Sequence, residues 1–292
     1  YNTETLEMVD YSNTPVAGGI GWSALDLSRL LLALRVLERH APWQGEMVRA
    51  LIARWNIGAL AREGELVGAT RDEGTVALWQ EGRIGYEQYA ARAAALWGLD
   101  VIAAMSAGRV LSWENVAGVT VAIDRRSHTV FRAITPTLSE PYMLQGLELG
   151  FDSETAFLAG SVYAAQEARH MLTGIPTMVS EDHIDQEPWF LYSSVHSNGE
   201  DWSVVSDKGD RHPELRTLSV KAVFAWDSIY NTPYTADLRA RVDRDLSGKD
   251  GGWPAGIYEA NGKPNAVLSL NTNAVVLEAL HYRVHGPLWS VD

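Results

Sequence analysis

Cysteine is absent from the 292 residues. That excludes disulfide staples, a thiolate nucleophile and cysteine-ligated zinc. No run of lysine and arginine occurs, and 24 basic residues stand against 37 acidic ones, for a net charge of -13. Binding nucleic-acid backbones needs clustered positive charge. Nucleic acid and anionic lipid are therefore excluded as main partners, whereas a neutral polysaccharide is not. No apolar run reaches the length of a membrane span, so no integral membrane segment is expected. No signal peptide is visible, and the chain opens at Tyr1 rather than Met, as a processed or trimmed protein does. Phenylalanine is scarce, five residues beside eleven Trp and eleven Tyr. The favoured aromatics are those that join a flat apolar face to a hydrogen-bonding edge.

What is present is enough for a substantial core. Hydrophobic residues make up 46% of the chain, no low-complexity linker divides it, and residues 1–292 read as one domain. Leu25, Leu27, Leu30, Leu31, Leu34 and Leu37 form an apolar stripe on a helix over 22–39, with Ser23 as its cap. An antiparallel helical partner follows over 44–55, then a small hairpin around Glu63-Gly64. Further helices are expected over 85–98, continuing after a break over 99–107, and over 140–149, 153–172, 215–229, 235–246 and 271–284. Residues 116–134 alternate like strands, with a turn at Asp124-Arg125-Arg126. The rhythm is helical hairpins with loop or hairpin excursions, so the fold is expected to be mainly α.

Two segments concentrate carboxylates and aromatics at helix entries. One is Trp79-Gln80-Glu81-Gly82-Arg83-Ile84-Gly85-Tyr86-Glu87-Gln88-Tyr89, the other Ser139-Glu140-Pro141-Tyr142-Met143. Aromatic faces stack on pyranose rings, and paired carboxyls can protonate a glycosidic oxygen and activate water. Each acid also has a plain explanation. Glu81 suits a helix N-terminus, Glu140 sits beside a Pro that commonly opens a helix, and Glu87 fits a solvated face. Glu181 and Asp182 lie near His183 and Asp185, but the eight His show no metal-ligand spacing, so no metal and no cofactor are expected. No Gly-x-Ser-x-Gly elbow occurs. Gly18-Gly19-Ile20-Gly21 fits neither the dinucleotide nor the P-loop pattern. Asn271-Thr272-Asn273 reads first as a helix cap, with sugar hydroxyls as a second use for its amides.

Gln80-Glu81-Gly82-Arg83 resembles the Ser-Glu-Ala-Arg motif of the bacterial glucoamylase-like proteins. That group is related to endo-β-1,2-glucanases and to glucan-processing domains of cyclic β-1,2-glucan synthases. Ser139-Glu140-Pro141-Tyr142-Met143 resembles the group's Phe-Glu-Tyr-Leu-Met-Pro segment. Ala165-Gln166-Glu167-Ala168-Arg169 with Gly174-Ile175-Pro176 and Val179-Ser180-Glu181 resembles its helix, Gly-x-Pro and Ser-Glu-Ser passage. The three occur in matching order across the middle half of the chain. Gly82, Pro141 and Asp182 depart from the pattern.

The resemblance implies an (α/α)6 toroid, complete or incomplete, with small β-hairpin excursions and a cleft at one end. It implies a glycoside hydrolase or transglycosylase acting on a bacterial glucan, with β-1,2 linkage preferred and a periplasmic or extracellular location. On this reading Glu140 is the general acid and Glu81 the partner carboxylate, with Glu87 and Glu181 in reserve. Trp79, Tyr86, Tyr142, Trp189 and Trp253 are the expected sugar platforms, and an oligosaccharide or polysaccharide is the partner. The rival reading is a non-catalytic polysaccharide-binding domain of an export or biosynthesis system. A third is a helical domain without a ligand.

Overall fold

The computed structural model describes residues 1–10, 12–72, 74–246 and 251–289, with Asp72 by its backbone alone. They fall into two compact units, Tyr1–Gly82 with Tyr86–Ser106, and Arg83–Gly85 with Ala107–Asp292. The sequence read as a single domain; by packing, each unit has its own interior.

The first unit holds helices α1 (Ala24–His40), α2 (Gly45–Ile52) and α3 (Tyr86–Ala95). Ser23 caps α1 as expected, its side chain accepting from the amide of Asp26. Leu31 and Leu32 point into the interior, whereas Leu30 and Leu37 are exposed. The buried stripe is thus narrower than the leucine pattern implies. Leu31, Ile52, Leu60, Leu66 and the alanine face of α3 make the core. Alanine permits that closeness, since a helix face without long side chains lets backbones approach.

The hairpin at Glu63-Gly64 forms, with both residues at positive φ (54° and 81°), the conformation a tight two-residue turn requires. Its second strand, Glu65–Asp72, also pairs with Thr75–Gln80 and with Gly21–Trp22. The expected helix over 99–107 does not form. Gly98 sits at φ 79°, a left-handed end to the preceding helix, and turns follow it.

The second unit opens with the hairpin Leu111–Val116 and Val119–Asp124. The expected strand over 129–133 is instead a short helix, α4 (His128–Phe131). Ser127 precedes it as N-cap, which outweighs the strand preference of Thr129 and Phe131. Helix α5 (Ser139–Leu144) widens into a π-turn over Gln145–Leu149. Helix α6 (Ser153–Thr173) starts at an Asp152–Thr155 capping box and stops at Gly174, φ 70°. A three-stranded sheet pairs Glu181–His183, Phe190–Ser193 and Val204–Val205. Between its last two strands, the hairpin His196–Ser197 and Glu200–Asp201 turns at Asn198-Gly199. Helices α7 (Val220–Tyr230), α8 (Pro233–Leu246) and α9 (Leu270–His285) complete the unit.

Helix α7 is the unit's axis: its residues 220–227 are all buried, and it packs against α5, α8 and α9. Trp226 is fully buried, stacks on Tyr230 at 5.4 Å and donates its indole N–H to Ser139 Oγ at 2.9 Å. That bond ties the start of α5 to the middle of α7. Nine α-helices occur among the described residues, so helix dominates as expected, with more strand pairs than the sequence reading allowed. No helix among them is long and apolar enough to cross a membrane.

Candidate functional site

Three helices of the second unit begin at one place. Glu140 is the second residue of α5, Lys221 the second of α7 and Asn271 the second of α9. A helix start carries free amides and a partial positive charge. It favours Glu140 and disfavours Lys221. The ammonium is nevertheless held there, fully buried, by partners around it. Lys221 Nζ lies 2.8 Å from Glu140 Oε2, 2.7 Å from Asn271 Oδ1 and 3.9 Å from Asp182 Oδ1. Ser180 Oγ donates to the same Glu140 oxygen at 2.9 Å. Burial opposes the charge of Lys221, but Glu140, Asp182 and Glu181 outweigh it and hold its pKa above the usual lysine value.

The cluster contains more carboxylate than one cation neutralises. Asp182 takes the strain. Burial pushes its carboxyl up to about 7, with Glu140 and Glu181 adding to the shift and Lys221 and the Ser219 hydroxyl resisting it. Glu140 Oε1 is buried without a hydrogen-bond partner, and the buried Asp182 carboxyl has only the Ser219 hydroxyl and the Lys221 ammonium to answer it. Buried polar groups are nearly always fully paired, so the cluster has spare capacity to bind something polar. A carboxyl titrating near neutrality beside a fixed lysine can hold or release a proton at working pH.

Glu181 stands on the neighbouring face. In the strand pairing, Glu181 lies opposite Tyr192 and His183 opposite Phe190, while Asp182 opposes Leu191 and turns inward. Glu181, Phe190 and Tyr192 are half-buried and His183 is exposed. His183 and Phe190 meet edge-on at 4.9 Å, Phe190 and Tyr192 at 5.3 Å. A row of rings thus runs beside a carboxylate that reaches solvent. Trp189, at the start of that hairpin's second strand, is 58% exposed.

The other expected site residues are distributed differently. Tyr142 is enclosed, 3% exposed, so in this structure its ring packs and presents no platform. Burial holds its phenol well above the usual tyrosine range. Trp253 is half-buried, edge-on to Phe224 at 4.9 Å, and lines an apolar groove of about 570 Å³ with Leu268, Val276 and Leu277.

Glu81, Glu87, Trp79 and Tyr86 belong to the first unit. Glu81 accepts from Ser23 Oγ at 2.7 Å and from the amide of Ala24, so both its oxygens cap α1, not the helix that follows it in sequence. Burial raises its pKa against those two bonds. Glu87 is buried at the start of α3, which corrects the reading of a solvated face. Trp79 is exposed on the strand Thr75–Gln80, and Tyr86 is half-buried as the first residue of α3.

The sequence reading missed Lys221, Ser219 and the ring row of Phe190 and Tyr192. Lys221 left a signal: it is the sole charge in the apolar run Val220-Lys221-Ala222-Val223-Phe224-Ala225-Trp226. A lone charge in a buried helix requires a partner. No group of three or more His, Asp or Glu side chains among the described residues is placed to hold a metal ion.

A family model described as "Protein of unknown function (DUF3131)" matches residues 1–286. The chain belongs to the DUF3131 family. None of the curated proteins matches this DUF3131 chain. The crystal structure of a "putative glucoamylase" from Bacteroides caccae ATCC 43185 superposes on it with a TM-score of 0.57 and 11% sequence identity. The match covers 95% of this chain and 69% of that one. The DUF3131 chain therefore has a glucoamylase-like fold.

Proposed function

We propose that this DUF3131 chain is a glycoside hydrolase or transglycosylase acting on a bacterial glucan. The observation that carries the reading is the buried Glu140–Lys221–Asp182 cluster inside a glucoamylase-like fold. Glycosidic cleavage needs a carboxyl that is protonated when it meets the leaving oxygen and a second carboxylate to direct water or attack carbon. Glu140 is the acid in this reading. Asp182, with its raised pKa, supplies the cluster with a proton near neutral pH, and Lys221 fixes the geometry. Glu181, half-exposed and beside the Phe190–Tyr192 row, is the second carboxylate. Glu81 keeps the role of capping α1. An (α/α)6 ring, β-1,2 linkage and a periplasmic or extracellular setting belong to the same proposal.

The deciding experiment incubates purified protein with linear and cyclic glucans, β-1,2-linked ones included, and reads products by mass. Wild type is expected to release oligosaccharides. Glu140→Gln is expected to lower the rate by about 10²-fold or more while leaving the circular-dichroism spectrum unchanged. Wild-type rates in that variant would remove Glu140 as the acid.

One observation favours the second reading, a non-catalytic polysaccharide-binding domain. Glu140 is 1% exposed and ion-paired, so a substrate reaches it only after the cluster opens. Oligosaccharide binding without product release in wild type would support that reading.

A further inference from the structure

The second unit carries an open polar groove of about 750 Å³ between the hairpins 111–124 and 196–201. It shares no residue with the Glu140–Lys221–Asp182 cluster or with the Glu181 ring row. We propose that this groove is a separate binding site for an uncharged, hydroxyl-rich saccharide, with His196 as its central recognition residue.

The first support is how rigidly the polar groups are held. Asp124 accepts from the Ile84 amide at 2.9 Å, from the Arg126 amide at 2.9 Å and from two nitrogens of the Arg126 guanidinium. The carboxylate is wholly buried and the guanidinium nearly so. A bidentate pair fixed from the backbone is a planar, immobile surface. His196 is 6% exposed, and its Nδ1 is bonded to Asp201 Oδ1 at 2.9 Å. That bond sets the ring's tautomer and leaves Nε2 as the atom with no partner among the described residues. Asn198 Oδ1 accepts from the Thr135 amide at 3.1 Å, which locks the turn that forms the far wall. A site whose polar groups are already ordered loses little entropy on binding.

The second support is charge. Three accessible carboxylates, on Glu114, Glu200 and Asp201, and the buried Asp124 line the groove with two guanidiniums, on Arg125 and Arg126. Asp124 is paired with Arg126, Asp201 with His196, and Glu200 with Arg211 at 3.0 Å. Such a surface repels an anion and offers no concentrated cation to a phosphate or sulfate. It presents both donors and acceptors, which suits hydroxyls, each of which donates and accepts. No Trp, Tyr or Phe lines the groove among the described residues. Recognition therefore works through hydroxyl orientation, not ring stacking, and affinity is modest because polar groups exchange water for ligand at small net gain.

The inference rests on the carbohydrate reading of the fold, and the experiment separates the two. Titration calorimetry measures a linear neutral gluco-oligosaccharide of five units against Glu140→Gln alone and combined with His196→Gln or Asp201→Ala. Asp201 is about half exposed, so its variant keeps the fold. Expected is at least tenfold weaker binding in both groove variants, insensitive to salt, with all titrations made in the Glu140→Gln background so that the ligand is not cleaved. Equal affinity in the groove variants overturns the groove as a site, whether or not the wild type cleaves glucan. Binding that depends on His196 in a protein that cleaves nothing keeps the groove and removes the hydrolase reading. Binding only of inorganic phosphate, or only of uronic or sulfated oligosaccharides, overturns the uncharged ligand.

Discussion

Lys221 Nζ and Glu140 Oε2 are 2.8 Å apart, with both side chains 2% exposed. The two sit at the starts of different helices, so the pair fastens α5 to the start of α7, while the Ser139–Trp226 bond fastens it to the middle. Removing one partner strands the other in a medium that cannot solvate it. Lys221→Met is expected to cost about 3–5 kcal/mol in denaturant unfolding. The double variant Lys221→Met/Glu140→Leu is expected to regain much of that loss. A single variant as stable as wild type would show that the pair carries no net energy.

Asp182 makes stability fall as pH rises toward neutrality. Burial pushes its folded carboxyl up to about 7, well above the usual aspartate value, so the native state keeps a proton that the unfolded chain releases. The stability linked to it is present below about pH 4 and is lost as pH rises through 7. Melting temperature should therefore decline between pH 5 and 8, and Asp182→Asn should flatten that slope. Parallel profiles for the two proteins would contradict the shift.

Glu259 acts on the acid side. It bonds Arg169 through two 2.8 Å contacts and Arg216 at 2.9 Å. Burial alone would raise its pKa, but the two guanidiniums outweigh burial and hold it below the usual glutamate value. Its stability is present above about pH 4.5 and is lost as pH falls. Glu259→Gln is expected to cost about 1.5–3 kcal/mol at pH 7, by weakening hydrogen bonds to charged groups. The same variant should lose part of the acid limb of the wild-type stability profile.

In the first unit, Glu81→Ala removes both the Ser23 and the Ala24 partner at the start of α1. Loss of a cap of this kind costs about 1–2 kcal/mol, which thermal melting can read. An unchanged melting temperature would free Glu81 for another role.

Gly82 stands where the Ser-Glu-Ala-Arg motif that this segment resembles has alanine. Its φ is 104°, and an added Cβ would lie 2.9 Å from Glu87 Cβ and 3.0 Å from Glu87 Cα. Gly82→Ala is expected to destabilise the fold by about 1–3 kcal/mol. The departure from the motif thus has a steric cause in this chain.

Helix positions were legible wherever the signal was local. Ser23, Gly174 and the Glu63-Gly64 turn act on their own neighbours, and each performs its expected job. The helix over 99–107 and the strand over 129–133 failed for the same reason. A left-handed Gly98 and a capping Ser127 overrode patterns read from side-chain type alone. Glu140 was visible as an acid at a helix entry. Lys221, 81 residues further on, was not seen as its partner, because an ion pair across that separation leaves no periodicity in either segment.

The sequence by itself determined the cap at Ser23, the stop at Gly174 and the turn at Glu63-Gly64, since capping and turn chemistry act over a few residues. Only the tertiary structure decided which acids share a neighbourhood. Glu140, Asp182 and Glu181 gather around one ammonium, whereas Glu81 serves the start of α1. The energy of a buried charge depends on its neighbours in space, and those are brought together by packing between elements far apart in the chain.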